Sequence, residues 1–151
     1  MGVDIHIYAE TKINGKWLFC MPGKTLERMD DFEEYCPPFD VGGRNLYLFQ
    51  VLSGYYKDGH FGDDFKSISP ARGLPVDLCP ATSELLEDLI AYSYLTLKEI
   101  NDFDWTAEAE DNRTYSELVL DEFSKVLEYL QSLVTESVTE NDVRIVFGYS
   151  V

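Results

Sequence analysis

Val3-Asp4-Ile5-His6-Ile7-Tyr8, then the pair Asn14-Gly15, then Lys16-Trp17-Leu18-Phe19-Cys20-Met21, form the stretch on which the fold turns. Val3, Ile5 and Ile7 alternate with Asp4, His6 and Tyr8, the period-two pattern of a strand with one buried face. Asn-Gly supplies the two positive-φ residues of a type I′ turn, so the chain doubles back as a hairpin. At the far end, Val143-Arg-Ile-Val-Phe-Gly-Tyr149 reads as a third strand. Hairpin and C-terminal strand make a small antiparallel sheet, and the chain between them must supply its cover.

That middle section is mostly helical in pattern. Thr25 to Tyr35 places Leu26, Met29 and Phe32 on one side and is ended by Pro37-Pro38, which cannot donate backbone hydrogen bonds. Gly42-Gly43 opens a turn into a short helix carrying Leu46, Phe49, Val51 and Leu52, stopped by Gly54. Residues 55–80 are broken by Gly59, Gly62, Pro70, Gly73 and Pro75. So long a loop is usually functional or disordered, and Tyr55, Tyr56, Phe61 and Phe65 favour an ordered one folded over the core. Leu85, Leu86, Leu89 and Ile90 suggest a helical face behind a Thr82 or Ser83 cap. Thr96–Glu99 and Thr114–Glu117 both match the capping box, in which hydroxyl and carboxylate satisfy each other's backbone donors. The second box opens the longest helix, whose apolar stripe runs from Tyr115 and Leu118 to Leu133 and Val134, with Asp121 and Glu128 on the wet side. The expected class is α+β: a small antiparallel sheet packed by helices, with a long ordered loop, as a single domain over residues 1–151. The long helix would cover one face of the sheet and leave the other available.

Composition bounds the function. With 45% hydrophobic and 14% aromatic residues, the chain has material for a core, and disorder is disfavoured. No apolar run approaches the roughly 18 residues that span a bilayer, and Met1 to Glu10 lacks the basic and apolar regions of a signal peptide. Cys20, Cys36 and Cys79 show no CxxC spacing and read as buried thiols of a reducing compartment, the cytosol. A net charge of −16 repels phosphate backbones and anionic lipid, so neither nucleic acid nor a membrane is expected as a partner. Thirteen acidic residues lie between Glu99 and Asp142 against Arg113 and Lys125. They make either a solvated surface or an acidic face that imitates DNA or docks on a basic protein.

If Val3, Ile5 and Ile7 face the core, then Asp4, His6, Tyr8 and Glu10 line the opposite face about 7 Å apart. Such a row suits the floor of a polar pocket, and equally an ordinary half-exposed strand. Two histidines, His6 and His60, with the acids of Asp58 to Asp64, do not make a recognisable ligand set. Neither a metal nor a cofactor is expected. The sequence has no GxSxG elbow, no phosphate loop and no Cys/His pair, so no catalytic residue is named and a binder is favoured over an enzyme. Arg44 in Gly-Gly-Arg-Asn45 and Arg72 in Ala-Arg-Gly73 sit at glycine-flanked turns, where a guanidinium and backbone donors can hold an anion. Each could equally tether a neighbouring aspartate.

Several stretches together resemble a widespread family of small phage-encoded proteins. They are Met-Gly-Val3-Asp4-Ile5-His6, Gly43-Arg44-Asn45-Leu46-Tyr47-Leu48-Phe49, Gly62-Asp-Asp-Phe65, Arg72-Gly-Leu-Pro75, Tyr94-Leu-Thr-Leu-Lys-Glu99, Asp104-Trp105 and Val143-Arg-Ile-Val-Phe147. The family pattern often has cysteine at the place of Val3, and a histidine-rich stretch where this chain has Ile90-Ala-Tyr-Ser-Tyr94. That departure implies that any metal capacity of the family is lost here. The resemblance implies an accessory, anti-defence role in the host bacterial cytosol, such as sequestering a nucleotide-derived signal. The site expected on this reading comprises Asp4, His6, Tyr8, Arg44, Asn45, Phe61, Phe65, Arg72 and Gly73 around a small anionic, nucleotide-like ligand. Asp4 and His6 would bond ribose or base, Tyr8 would stack, the arginines would neutralise phosphate, and Phe61 or Phe65 would close the site. The alternatives are an acidic inhibitor of a basic bacterial protein and a nucleotide hydrolase. The sheet edge that so few strands leave open is a place for a second subunit in a homo-oligomer.

Overall fold

The computed structural model describes residues 2–23, 36–55 and 65–151. In chain order the elements are β1 (Asp4–Ile13), β2 (Lys16–Phe19), α1 (Leu46–Ser53), α2 (Pro80–Leu85), β3 (Ile90–Thr96) and α3 (Leu97–Asp102). They are followed by β4 (Glu108–Glu110), β5 (Arg113–Thr114), α4 (Asp121–Ser132) and β6 (Val143–Ser150). The expected helix over Thr25 to Tyr35 lies outside the described residues.

The fold is α+β, built on a four-stranded antiparallel sheet of order β2-β1-β6-β3. Asn14 and Gly15, at φ 51° and 80°, turn the hairpin, as a type I′ turn requires. The C-terminal strand inserts beside β1, pairing Asp4 with Ser150 through to Thr11 with Val143. The fourth strand, β3, is a correction to the sequence reading, which gave Ile90 to a helix. Left-handed backbone at Asp88 and Ala91 (φ 67° and 53°) breaks any helix there. From Tyr92 the side chains alternate, with Ser93 and Leu95 buried. The helix expected before it shrinks to α2, which starts at Pro80 behind Cys79 rather than at Thr82 or Ser83. Proline at the first helical position has no N–H to leave unpaired.

Both faces of the sheet are covered, which overturns the expectation of one vacant face. On the odd face Ile7, Ala9, Ile145, Phe147 and Tyr149 are fully buried. Helix α1 lies against them, with Phe49 edge-on to Tyr149 at 5.4 Å and Ser53 Oγ 2.9 Å from the Tyr149 hydroxyl. On the even face the middle of β1 is equally enclosed. Tyr8 is 1% exposed and donates its hydroxyl to the Cys36 carbonyl, and Glu10 is 0% exposed. Segment 77–92 closes the rest, coming so near that a Cβ on Gly148 would lie 2.9–3.1 Å from Tyr92 and Leu89.

Glu10 and Arg144 stand directly opposite each other on β1 and β6. Arg144 Nε and Nη2 donate to Glu10 Oε1 at 2.8 and 2.6 Å, while Cys79 N and the Thr82 hydroxyl donate to Oε2. Arg144 Nη1 reaches Asp77, and its guanidinium lies 3.9 Å from the Trp17 ring centroid. Burying a charge is tolerated only when it is paired and its lone pairs are met, and this cluster meets both conditions. It ties the first strand, the last strand and segment 77–82 together.

The long helix forms as its stripe predicts, with Tyr115, Val119, Phe123, Val126 and Leu130 buried and Asp121, Glu117 and Glu128 exposed. It ends at Ser132, short of Val134. Its first turn, Ser116–Leu120, is π-helical, a wider turn found as short insertions in α-helices. Both capping boxes close as read, Thr96 with Glu99 and Thr114 with Glu117. Gly54 ends α1 at φ 70° with its N–H on the Gln50 carbonyl. Residues 65–79 carry no strand or helix, but backbone bonds from Ile68 to Val51 and from Gly73 to Tyr92 hold them. Among the described residues no helix is long and apolar enough to cross a membrane.

Candidate functional site

Asn45 is where the candidate site begins. Its Oδ1 accepts from the N–H groups of Tyr47 and Leu48, capping α1, as asparagine does at helix starts. Its Nδ2 donates to the Leu118 carbonyl in the π-helical turn at 2.9 Å. One side chain therefore fixes the start of α1 against the start of the long helix. Between these two walls lies a cleft of about 520 Å³, bordered by Arg44, Asn45, Leu46 and Tyr47 on one side. Arg113, Glu117, Leu118 and Glu122 border the other. Pockets of about 300–1,000 Å³ are the usual size for small-molecule sites.

Two arginines border this cleft. Arg44 is held by Asp4, with Nε to Oδ1 at 2.9 Å and Nη2 to Oδ2 at 3.3 Å, and both side chains are 54% exposed. The hydrogen bond from Arg44 keeps the Asp4 carboxyl below the usual aspartate range. Gly2 makes the approach possible, since a Cβ there would sit 2.0 Å from Arg44 Nη1. Arg113 differs: among the described residues it has no carboxylate partner. It donates to the Tyr47 hydroxyl at 3.4 Å and lies 5.8 Å from that ring's centroid. Its position follows from the β4–β5 turn, where Asp111 and Asn112 take φ 50° and 62° and deliver Arg113 at the exit. Tyr47 is also stacked with Phe65 at 6.0 Å. One oxygen of Glu122, Oε2, is buried and has no hydrogen-bond partner among the described residues.

The residues read from sequence do not form a single site. Arg44 and Asn45 border the cleft, while Asp4 holds Arg44 and does not itself border the cleft. His6 is half-buried beside Ser150 Oγ at 3.0 Å and does not border it. Tyr8 cannot stack on a ligand, because it is enclosed beneath residues 36–39 and against Phe19. Phe65 is not a lid but a buried support, edge-on to Tyr115 at 5.2 Å. Phe61, with His60 and Asp58 to Asp64, lies outside the described residues.

Arg72 is a tether. It donates to both carboxylate oxygens of Glu99, to the Tyr94 carbonyl and to Ser69 Oγ. The hydrogen bond from Arg72 depresses the Glu99 carboxyl to about 2. Gly73, at φ 79°, bonds its N–H to the Tyr92 carbonyl, extending the edge of β3. Through Val146, Tyr94 aligns with Tyr8 rather than with Asp4. The anchor points of Arg72 and Arg44 are thus about 13 Å apart along the strands and about 10 Å across them.

Sequence reasoning passed over Arg113, Tyr47, Glu117 and Glu122. A signal existed for the first: Asp111-Asn112 tolerates left-handed backbone, which marks a turn, and Arg113 follows it as a lone cation in an acidic stretch. Among the described residues no three His, Cys, Asp or Glu side chains group to hold a metal ion. Compared with protein-family models, curated proteins and solved structures, the chain matches none.

Proposed function

We propose that the protein holds a small anionic, nucleotide-like ligand in the cleft between α1 and the long helix, without transforming it. The observation that supports this best is Arg113. Arg113 borders the cleft, is exposed, and has no carboxylate partner among the described residues, so its donors are open to an anion. With Arg44 on the other side of the cleft, it offers donors that a phosphate can accept. Leu46, 37% exposed, and Leu118 offer apolar surface for a base. The biological role we attach to this is removal of a nucleotide-derived signal by a phage accessory protein.

The test is incubation with mono-, di- and cyclic nucleotides, followed by removal of unbound material, heating and chromatography of what is released. Intact nucleotide recovered from wild-type protein, and none from Arg113→Ala, supports a sponge. Altered nucleotide makes the protein a hydrolase, and empty protein ends the reading.

An acidic inhibitor is the second reading, favoured by the exposure of Asp121 and Glu128 on the outer face of α4. Capture of a basic partner through that face weakens steeply with added salt. Reversing both charges to lysine would abolish it and leave nucleotide binding intact.

A further inference from the structure

Glu122 differs from the other acids at the cleft because one of its oxygens, Oε2, is buried and has no hydrogen-bond partner among the described residues. A buried acceptor without a donor costs stability, and bulk water does not reach it. Glu122 nevertheless borders the cleft, as Arg113 does. Its stem reaches the opposite wall: a Cβ on Gly42, two residues before Arg44, would lie 3.4 Å from Glu122 Cγ. The stem is therefore held, while the carboxyl group turns about a soft terminal torsion. A donor entering the cleft can draw on it without a shift of backbone. Leu118 lies four residues before Glu122, which puts both on one helix face a turn apart, and Leu118 and Leu46 are the aliphatic side chains bordering the cleft. A planar base resting on Leu118 turns its edge toward Glu122, and the donors on the edge of a base are N–H groups.

We infer that Glu122 selects the base of the ligand: its carboxylate accepts a hydrogen bond from an exocyclic amino group while Arg113 takes the phosphate. The ligand is then a nucleotide whose base carries an amino group. This rests on the binding reading above and adds the base to it. A carboxylate discriminates well here, because a hydrogen bond to a charged group is about twice as strong as a neutral one.

The experiment is calorimetric titration of wild-type protein with the 5′-monophosphates of adenosine, guanosine and cytidine, each beside the counterpart that lacks only the amino group, repeated on Glu122→Met. Methionine keeps the stem against Gly42 and removes the acceptor. The expected result is roughly ten-fold or greater preference of wild type for the amino form in the tightest-binding pair, collapsing to less than about two-fold in Glu122→Met. The melting temperature of the variant should equal or exceed that of wild type, because an unmet buried oxygen is gone. A melting temperature lowered by more than about 2 °C would make Glu122 a structural residue and overturn the inference. Equal binding within every pair by wild type overturns it too, as does a preference that survives in Glu122→Met. If Arg113→Ala abolishes binding while amino and amino-free forms bind alike, the base assignment falls and the binding reading stands. If no nucleotide binds at all, both fall.

Discussion

Replacing Arg144 by methionine puts the buried cluster to a quantitative test. The substitution keeps most of the stem and removes the charge, leaving Glu10 at 0% exposure with Cys79 N and the Thr82 hydroxyl as its donors among the described residues. Asp77 is 56% exposed and regains water, so its share is small. The cost is therefore set by Glu10. Removing one partner of a buried pair costs about 3–5 kcal/mol. The stack on Trp17 adds little to this, because methionine sulfur also packs well on aromatic rings. For a domain of this size the loss lowers the melting temperature by roughly 6–20 °C. Urea unfolding followed by tryptophan fluorescence measures it, with Trp17 reporting from within the cluster. The double change Glu10→Gln with Arg144→Met recovers most of the loss, because no uncompensated charge remains. A single variant within about 1 kcal/mol of wild type, or a double variant no better than the single, would refute the reasoning.

Arg72→Ala should lower stability by about 1–2 kcal/mol and leave nucleotide affinity unchanged, since its donors serve Glu99, Tyr94 and Ser69; thermal melts and calorimetry on the same sample check both halves. Glu99 titrates near 2 when folded against 4.5 as the ordinary value, so the stability it contributes is present above about pH 4.5 and is lost as pH falls toward 2. With 34% of that side chain exposed, the contribution is about 1 kcal/mol, and Glu99→Gln should flatten the acid limb of the stability–pH curve by that amount. Gly2→Ala should push the Arg44 guanidinium off Asp4, weakening nucleotide binding severalfold while shifting the melting temperature by less than about 2 °C.

The sheet was largely legible because its signals are local. Alternation in Val3 to Tyr8, the Asn14-Gly15 turn and the apolar run at Val143 each speak for themselves. The two capping boxes and the Gly54 stop were legible for the same reason. β3 was not, because Leu85 to Ile90 imitates a helical face and the break depends on left-handed backbone at Asp88 and at Ala91, an alanine that gives no sequence signal for it. The face carrying Asp4, His6, Tyr8 and Glu10 was assigned correctly, but its surroundings were not. Whether such a row floors a pocket depends on what segment 77–92 does, and no local pattern fixes that. Glu10 looked like a pocket acid because its partner lies 134 residues away. Arg44 and Asn45 were singled out through their glycine-flanked turn, and both border the cleft. Arg113, Tyr47 and Glu117 were passed over because they border one cleft only through the way α1 sits against the π-helical turn, where Asn45 bonds the Leu118 carbonyl.

Backbone amide chemical shifts, recorded while a ribonucleoside monophosphate is titrated into the protein, address the cleft most directly. The expected outcome is a saturable set of changes centred on residues 44–47 and 113–122, absent in Arg113→Ala. Shifts centred instead on Arg72, Gly73 and residues 94–99, or a spectrum that stays unmoved at millimolar nucleotide, would contradict the assignment of this cleft as the binding site.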